Sequence, residues 1–209
     1  MRRITKIVSL FLILAILLSM SVVATAAEQL VEFIGEPPLE ALYEVYKNGT
    51  RVNASPEIQH MIRDFAQEYD FCEKIIMGMI VHESTFNPRA HNKTGNWRGL
   101  AQISPFWITT RQIERFTDNY KSRDLFNPYD NLLTLMEMWS YARDKYNLDL
   151  STDHGYIQLL FWHSTGRNPK NVRNGTRYTR QVLKFVDELV NLQPQEDVYD
   201  YYQYSGTYY

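Results

Sequence analysis

The chain has 209 residues, 44% hydrophobic and 22% charged, enough for one sizeable core with appendages and short of two full domains. An aromatic share of 14%, with 15 Tyr and 4 Trp, excludes disorder of the whole chain, and 9 Gly with 8 Pro exclude a collagen-like repeat. The formal charge of −2 lacks the basic excess of a nucleic-acid protein, so nucleic acid is not expected as a partner.

Arg2, Arg3 and Lys6 precede an uncharged run from Ile7 to Val23 that exits through Ala24, Thr25, Ala26 and Ala27. These are the three parts of a secretory signal, expected over residues 1–27, with an uncleaved anchor as the alternative. Its removal takes away three of the 22 basic side chains and none of the 24 acidic ones, leaving a mildly acidic body. An extracytoplasmic location follows, with no membrane contact beyond the signal segment. The single cysteine, Cys72, allows no internal disulfide. Residues 28–54, rich in Glu and punctuated by Pro37-Pro38 and Asn48-Gly49, read as a spacer with one short element near Leu39 to Tyr46.

Helix signals then follow in order. Ser55-Pro56-Glu57 is a cap with proline at the first helical position, and Ile58, Met61, Ile62, Phe65 and Tyr69 keep one apolar face. Asp70 with Glu73 fits a capping-box start for a second helix, apolar on all sides from Ile75 to Val81 apart from Gly78. Ser104-Pro105 and Asn127-Pro128 open helices near Phe106 to Arg115 and Tyr129 to Tyr146. Two more are expected near Asp153 to His163 and Thr176 to Leu192. Strand signal is confined to Gly95 to Ile103, so the body over 55–192 is α+β, predominantly helical, with at most a small β-hairpin. Residues 193–209, Tyr-rich and almost without aliphatics, read as a flexible tail.

The chemistry concentrates at His82-Glu83-Ser84. A carboxylate at the C-terminal end of an apolar helix meets desolvation and the negative end of the helix dipole, and both raise its pKa. A Glu protonated near neutral pH can give a proton to a leaving oxygen. The plain alternative is a Glu that turns out to solvent. An H-E-x-x-H zinc site would need histidine at position 86, where the chain has Phe86, and the other histidines show no ligand spacing, so no metal is expected. No G-x-S-x-G elbow supports serine chemistry.

Glu83-Ser84-Thr85-Phe86-Asn87-Pro88-Arg89-Ala90, followed by Gly99-Leu100-Ala101-Gln102-Ile103 and Pro105, resembles the soluble-type lytic transglycosylases and their relatives the goose-type lysozymes. The resemblance covers about Ile58 to Val190. It implies a lysozyme-like fold, no cofactor, and a monomeric enzyme whose partner is the glycan strand of peptidoglycan, cut between N-acetylmuramic acid and N-acetylglucosamine. Glu83 would act first as acid on the bridging oxygen, then as base on the muramoyl C6 hydroxyl, giving a 1,6-anhydro end. Residues 84–113 hold no Asp or Glu, which favours this one-carboxyl outcome. A hydrolytic muramidase using Asp118, Asp124 or Asp130, or a non-catalytic peptidoglycan-binding module, are the alternatives.

The resemblance also suggests supporting residues. Ser84 would fix the turn that presents Glu83 or simply end the helix; Gln102 would recognise acetamido or hydroxyl groups or lie on the surface; Tyr178 would reach the acid with its hydroxyl, whereas its spacing with Val182, Phe185 and Leu189 would make it core. Asn92 stands at the family's usual serine. His163 replaces the asparagine of the third family block, where it could donate to a sugar or peptide carbonyl and would bring a titrating charge. Trp97, Trp107 and Trp162 could line a sugar groove or pack in the core. Arg167, Lys170, Arg173, Arg177, Arg180 and Lys184, a stretch without an acid, could face an anionic wall polymer or form a solvated helix face.

Overall fold

Proline-initiated helices form where their caps predict them. In the computed structural model, which describes residues 38–109, 123–172 and 175–192, Ser55 Oγ accepts the N–H of Ile58 and opens α1 (Pro56–Tyr69). Asn127 Oδ1 likewise accepts from Tyr129 N at 2.9 Å and opens α4 (Pro128–Tyr146). Between them lie α2 (Glu73–Glu83), a two-residue hairpin of β3 (His91–Asn92) with β4 (Trp97–Arg98), and α3 (Phe106–Thr109). Then follow α5 (Asp153–Thr165), capped by Thr152, and α6 (Arg177–Asp187), capped by Thr176. The expected signal segment, residues 28–37 of the expected spacer, residues 110–115 of the helix expected from Phe106, Asp118 and the tail 193–209 lie outside the described residues. No helix among the described residues is long and apolar enough to cross a membrane.

The fold class is the one expected, α+β and predominantly helical, with three local differences. Asp70 does not open α2. It adopts φ 57° and ψ 54° and closes α1, its backbone N–H reaching Ala66 O, while Cys72 precedes α2 without a side-chain cap. Aspartate tolerates the left-handed conformation that ends a helix, so the same residue type serves either terminus. The last helix stops at Asp187 instead of Leu192, and the chain extends into β5 (Val190–Asn191).

The third difference corrects the spacer. Residues 40–54 belong to the body, where β1 (Tyr43–Lys47) and β2 (Thr50–Val52) form a hairpin and β5 adds to the other edge, in the order β2-β1-β5. Asn48 and Gly49 turn the hairpin with φ 53° and 78°, the paired positive angles for which Asn-Gly is suited. Leu42, Tyr43, Val45 and Val52 are buried in the common core. Gln59 of α1, itself buried, holds the strand: its Oε1 accepts from Leu42 N at 2.9 Å and Tyr43 N at 2.8 Å, and its Nε2 donates to Ala54 O at 2.9 Å. Strand alternation then puts Lys47 on the same side as Tyr43 and Val45, toward the end of α2.

Helix α2 is the centre of the core. Ile75 to Val81 are all buried, each large side chain contributing about 1.5–3 kcal/mol relative to exposure. Gly78 lets α6 approach: a Cβ there would lie 2.6 Å from Val186 Cγ2 and 2.9 Å from Val182 O. Any larger residue would push the two helices apart. Their closeness sets the start of α6 beside the end of α2, where Glu83 sits.

Candidate active site

Glu83 is the last residue of α2, and the chain turns sharply after it. Ser84 caps the helix and its Oγ donates to Ile80 O at 3.3 Å. Thr85 and Phe86 follow with φ 55° and 60°, consecutive left-handed conformations that cost on the order of 1–3 kcal/mol each. Burial of the Phe86 ring, 4% exposed, offsets part of that cost. Lys47 crosses from β1 to close the turn: its Nζ donates to Val81 O at 2.9 Å, His82 O at 3.4 Å and Thr85 Oγ1 at 2.9 Å. An ammonium thus stands at the negative end of the helix. Nothing in the sequence pattern marked Lys47, because it lies in the segment read as spacer.

The Glu83 carboxyl is 18% exposed at the side chain. Burial pushes its pKa up to about 7, against the opposing hydrogen bond from Tyr178 and the charge of Lys47. Tyr178 of α6 donates its hydroxyl to Glu83 Oε1 at 2.6 Å. This leaves Oε2 as the oxygen that carries the proton of the neutral acid. Burial raises the Tyr178 phenol well above its ordinary value, so the O–H stays in place as donor.

Two imidazoles complete the surroundings. His163 Nε2 lies 3.8 Å and His82 Nδ1 4.0 Å from Glu83 Oε1. Burial lowers the pKa of both, that of His163 to about 4. Both rings are therefore neutral near neutral pH, and neither contact is an ion pair. The expected titrating charge at position 163 is absent because the side chain is only 6% exposed. His163 Nδ1 accepts from Trp139 Nε1 at 3.2 Å, and His82 Nε2 meets Gln181 Oε1 at 3.2 Å. Trp139 carried only a core signal in the sequence, and Gln181 none.

The remaining expected residues lie in loops that bond to themselves. Gln102, at φ 47°, donates through Nε2 to Ala90 O at 3.1 Å and Gly99 O at 2.9 Å. Asn92 Oδ1 accepts from Thr94 N and Gly95 N in the exposed β3–β4 turn. Asn131 pins this wall to α4: its Oδ1 accepts from Ala101 N at 2.9 Å and its Nδ2 donates to Arg98 O and Leu125 O. Gly99, at φ 74°, is required there, since a Cβ would fall 2.1 Å from Leu125 O. Trp162 is buried, Trp107 packs on it with ring centroids 5.3 Å apart, and Trp97 is exposed.

Two of the candidate second carboxylates are engaged elsewhere. Asp124 Oδ1 accepts from Phe126 N, and Asp130 Oδ2 accepts from Asp124 N. Among the described residues no carboxylate contributes to the shift of Glu83. In the basic stretch, Arg167, Lys170, Arg177 and Arg180 are exposed, whereas Lys184 bonds Asn48 Oδ1 and pairs with Glu188; Arg173 lies outside the described residues.

Residues 60–152 match the family model described as the transglycosylase SLT domain. The match contains Glu83, the turn after it and Trp139, and ends before His163 and Tyr178. No curated protein matches the sequence.

Proposed function

We propose that Glu83 is the catalytic acid and base of this chain, whose residues 60–152 match the transglycosylase SLT domain, a family of peptidoglycan-cleaving enzymes, and whose fold is helical α+β and lysozyme-like. Glu83 Oε2 gives its proton to the bridging oxygen of the bond between N-acetylmuramic acid and N-acetylglucosamine. The C1–O bond breaks with its electron pair on the leaving oxygen, and Glu83 becomes a carboxylate. That carboxylate then takes the proton of the muramoyl C6 hydroxyl as its oxygen closes on C1, giving a 1,6-anhydro end and restoring the acid. No water enters.

The observation that carries this reading is the carboxyl pushed up to about 7 at the mouth of a strained turn, with a phenol O–H on one oxygen. A pKa near the working pH serves an acid and a base in turn. The absence of a coupled carboxylate among the described residues supports internal attack over hydrolysis, because both hydrolytic routes draw on a second carboxyl. Ser84 supports the turn that presents the acid. Gln102 and Asn92 shape the loop wall beside the glycan strand, and the protein acts outside the cytoplasm on the wall.

Digestion of purified sacculi, with the released muropeptides weighed by mass spectrometry, tests the proposal. Anhydro ends are expected. Reducing ends would replace the transglycosylase outcome with a muramidase, and release of neither by the folded protein would leave a binding module.

A further inference from the structure

An indole N–H can only donate, so an imidazole nitrogen in hydrogen-bond contact with it must accept. Trp139 Nε1 lies 3.2 Å from His163 Nδ1, which leaves the ring proton of neutral His163 on Nε2, the atom 3.8 Å from Glu83 Oε1. A charged imidazolium would turn a second N–H against the indole, in a site already facing Lys47 from β1. The other titratable groups around the carboxyl are His82 of α2 and Tyr178 of α6. His82 offers a contrast. Its partner Gln181 has both a donor and an acceptor on its amide, so that contact fixes no tautomer.

We infer that the buried indole of Trp139 locks His163 as its neutral Nε2–H tautomer, making His163 a positioning residue that donates to Glu83 Oε1 when the carboxyl ionises. The inference rests on the reading of Glu83 as the acid. It divides the carboxyl into two oxygens with separate tasks. Oε2 carries the proton, and Oε1 gathers the charge under the Tyr178 O–H and the His163 N–H. At 3.8 Å the imidazole contact is loose while Glu83 is neutral; it shortens as negative charge develops. An interaction that strengthens only as the charge appears lowers the barrier and not merely the ground state. His163 therefore acts on the acid and not on the sugar.

Long-range proton–nitrogen NMR of the imidazoles in the full chain tests the lock without any substrate. His163 is expected neutral and protonated on Nε2 from about pH 8 down to about pH 5. A proton on Nδ1, exchange between tautomers, or titration at the ordinary histidine value would overturn it. The role is tested by two variants that differ in where they place an amide N–H. His163→Gln reaches the Nε2 position, and His163→Asn reaches only the Nδ1 position. In His163→Asn kcat is expected to fall about ten- to a hundredfold with KM little changed, and in His163→Gln to fall clearly less. Asparagine equal to or better than glutamine, or a loss of stability with kcat unchanged, would overturn the role. Trp139→Phe should free the tautomer and follow asparagine; if it does not fold, the ordering of the His163 pair decides. Undiminished turnover in Glu83→Gln would remove the reading of Glu83 while leaving the NMR result standing, so the two failures are separable.

Discussion

Two glutamates, one half-buried on α2 and one buried on α4, have surroundings that make them different groups. Glu137 of α4, 1% exposed at the side chain, faces the Arg123 guanidinium through both oxygens, and Arg123 also donates to Thr134 Oγ1 at 3.1 Å. Glu83, 18% exposed, has a phenol and two neutral imidazoles around it, and its nearest cation spends its hydrogen bonds on the α2 carbonyls and Thr85. The first carboxylate is paired with Arg123 and ties the segment before α4 to that helix. The second is denied a direct ion pair and holds a proton near neutral pH. A buried acid is scaffold or chemistry according to whether a cation faces it.

The comparison breaks at its strongest point if Glu83→Gln stays active. That variant keeps the shape and the Tyr178 contact but has no transferable proton, so sacculus lysis is expected to fall by about a thousandfold or more. Removing the other carboxyl should leave chemistry secondary and stability damaged. Glu137→Ala removes the carboxylate that faces a buried guanidinium, with an expected loss of about 3–5 kcal/mol, read as a fall in Tm of roughly 6–20 °C.

The sign of Glu83's effect on stability sharpens the contrast. Its folded pKa of about 7 lies above the ordinary 4.5, so between those values the unfolded chain loses the proton while the folded one keeps it. Stability therefore falls as pH rises through that window. Glu83→Gln escapes this loss and should be more stable by on the order of 3 kcal/mol at alkaline pH, an advantage that fades as pH drops toward 4.5. A thermal-shift series across pH reads both limits.

Smaller effects separate the groups around Glu83. Tyr178→Phe removes the bond that most opposes burial, so the alkaline limb of the pH–rate profile, expected near 7, should move up while turnover drops about ten- to a hundredfold. Lys47→Met removes the lesser opposing charge and should move the same limb upward by less, with about 0.5–1 kcal/mol of helix stability lost. A limb that moves down in either variant would contradict the assignment of causes.

What the sequence determined by itself was local. Caps and prolines at Ser55-Pro56 and Asn127-Pro128 set helix starts, the all-apolar run from Ile75 to Val81 set the buried helix, and the residues from Glu83 to Ile103 carried the family likeness. These signals are legible because each rests on neighbours within a turn or two. Asn48-Gly49 was a hairpin signal of the same kind, hidden by the polar residues around it. Only the tertiary structure decided that Lys47 reaches α2 and that Trp139 faces His163, across separations of 34 and 24 residues, while the contact of Tyr178 with Glu83, 95 residues apart, was expected from the family resemblance and from no local pattern. Those contacts depend on how closely Gly78 lets two helices pack and on which side of a strand a lysine emerges. No periodicity records either.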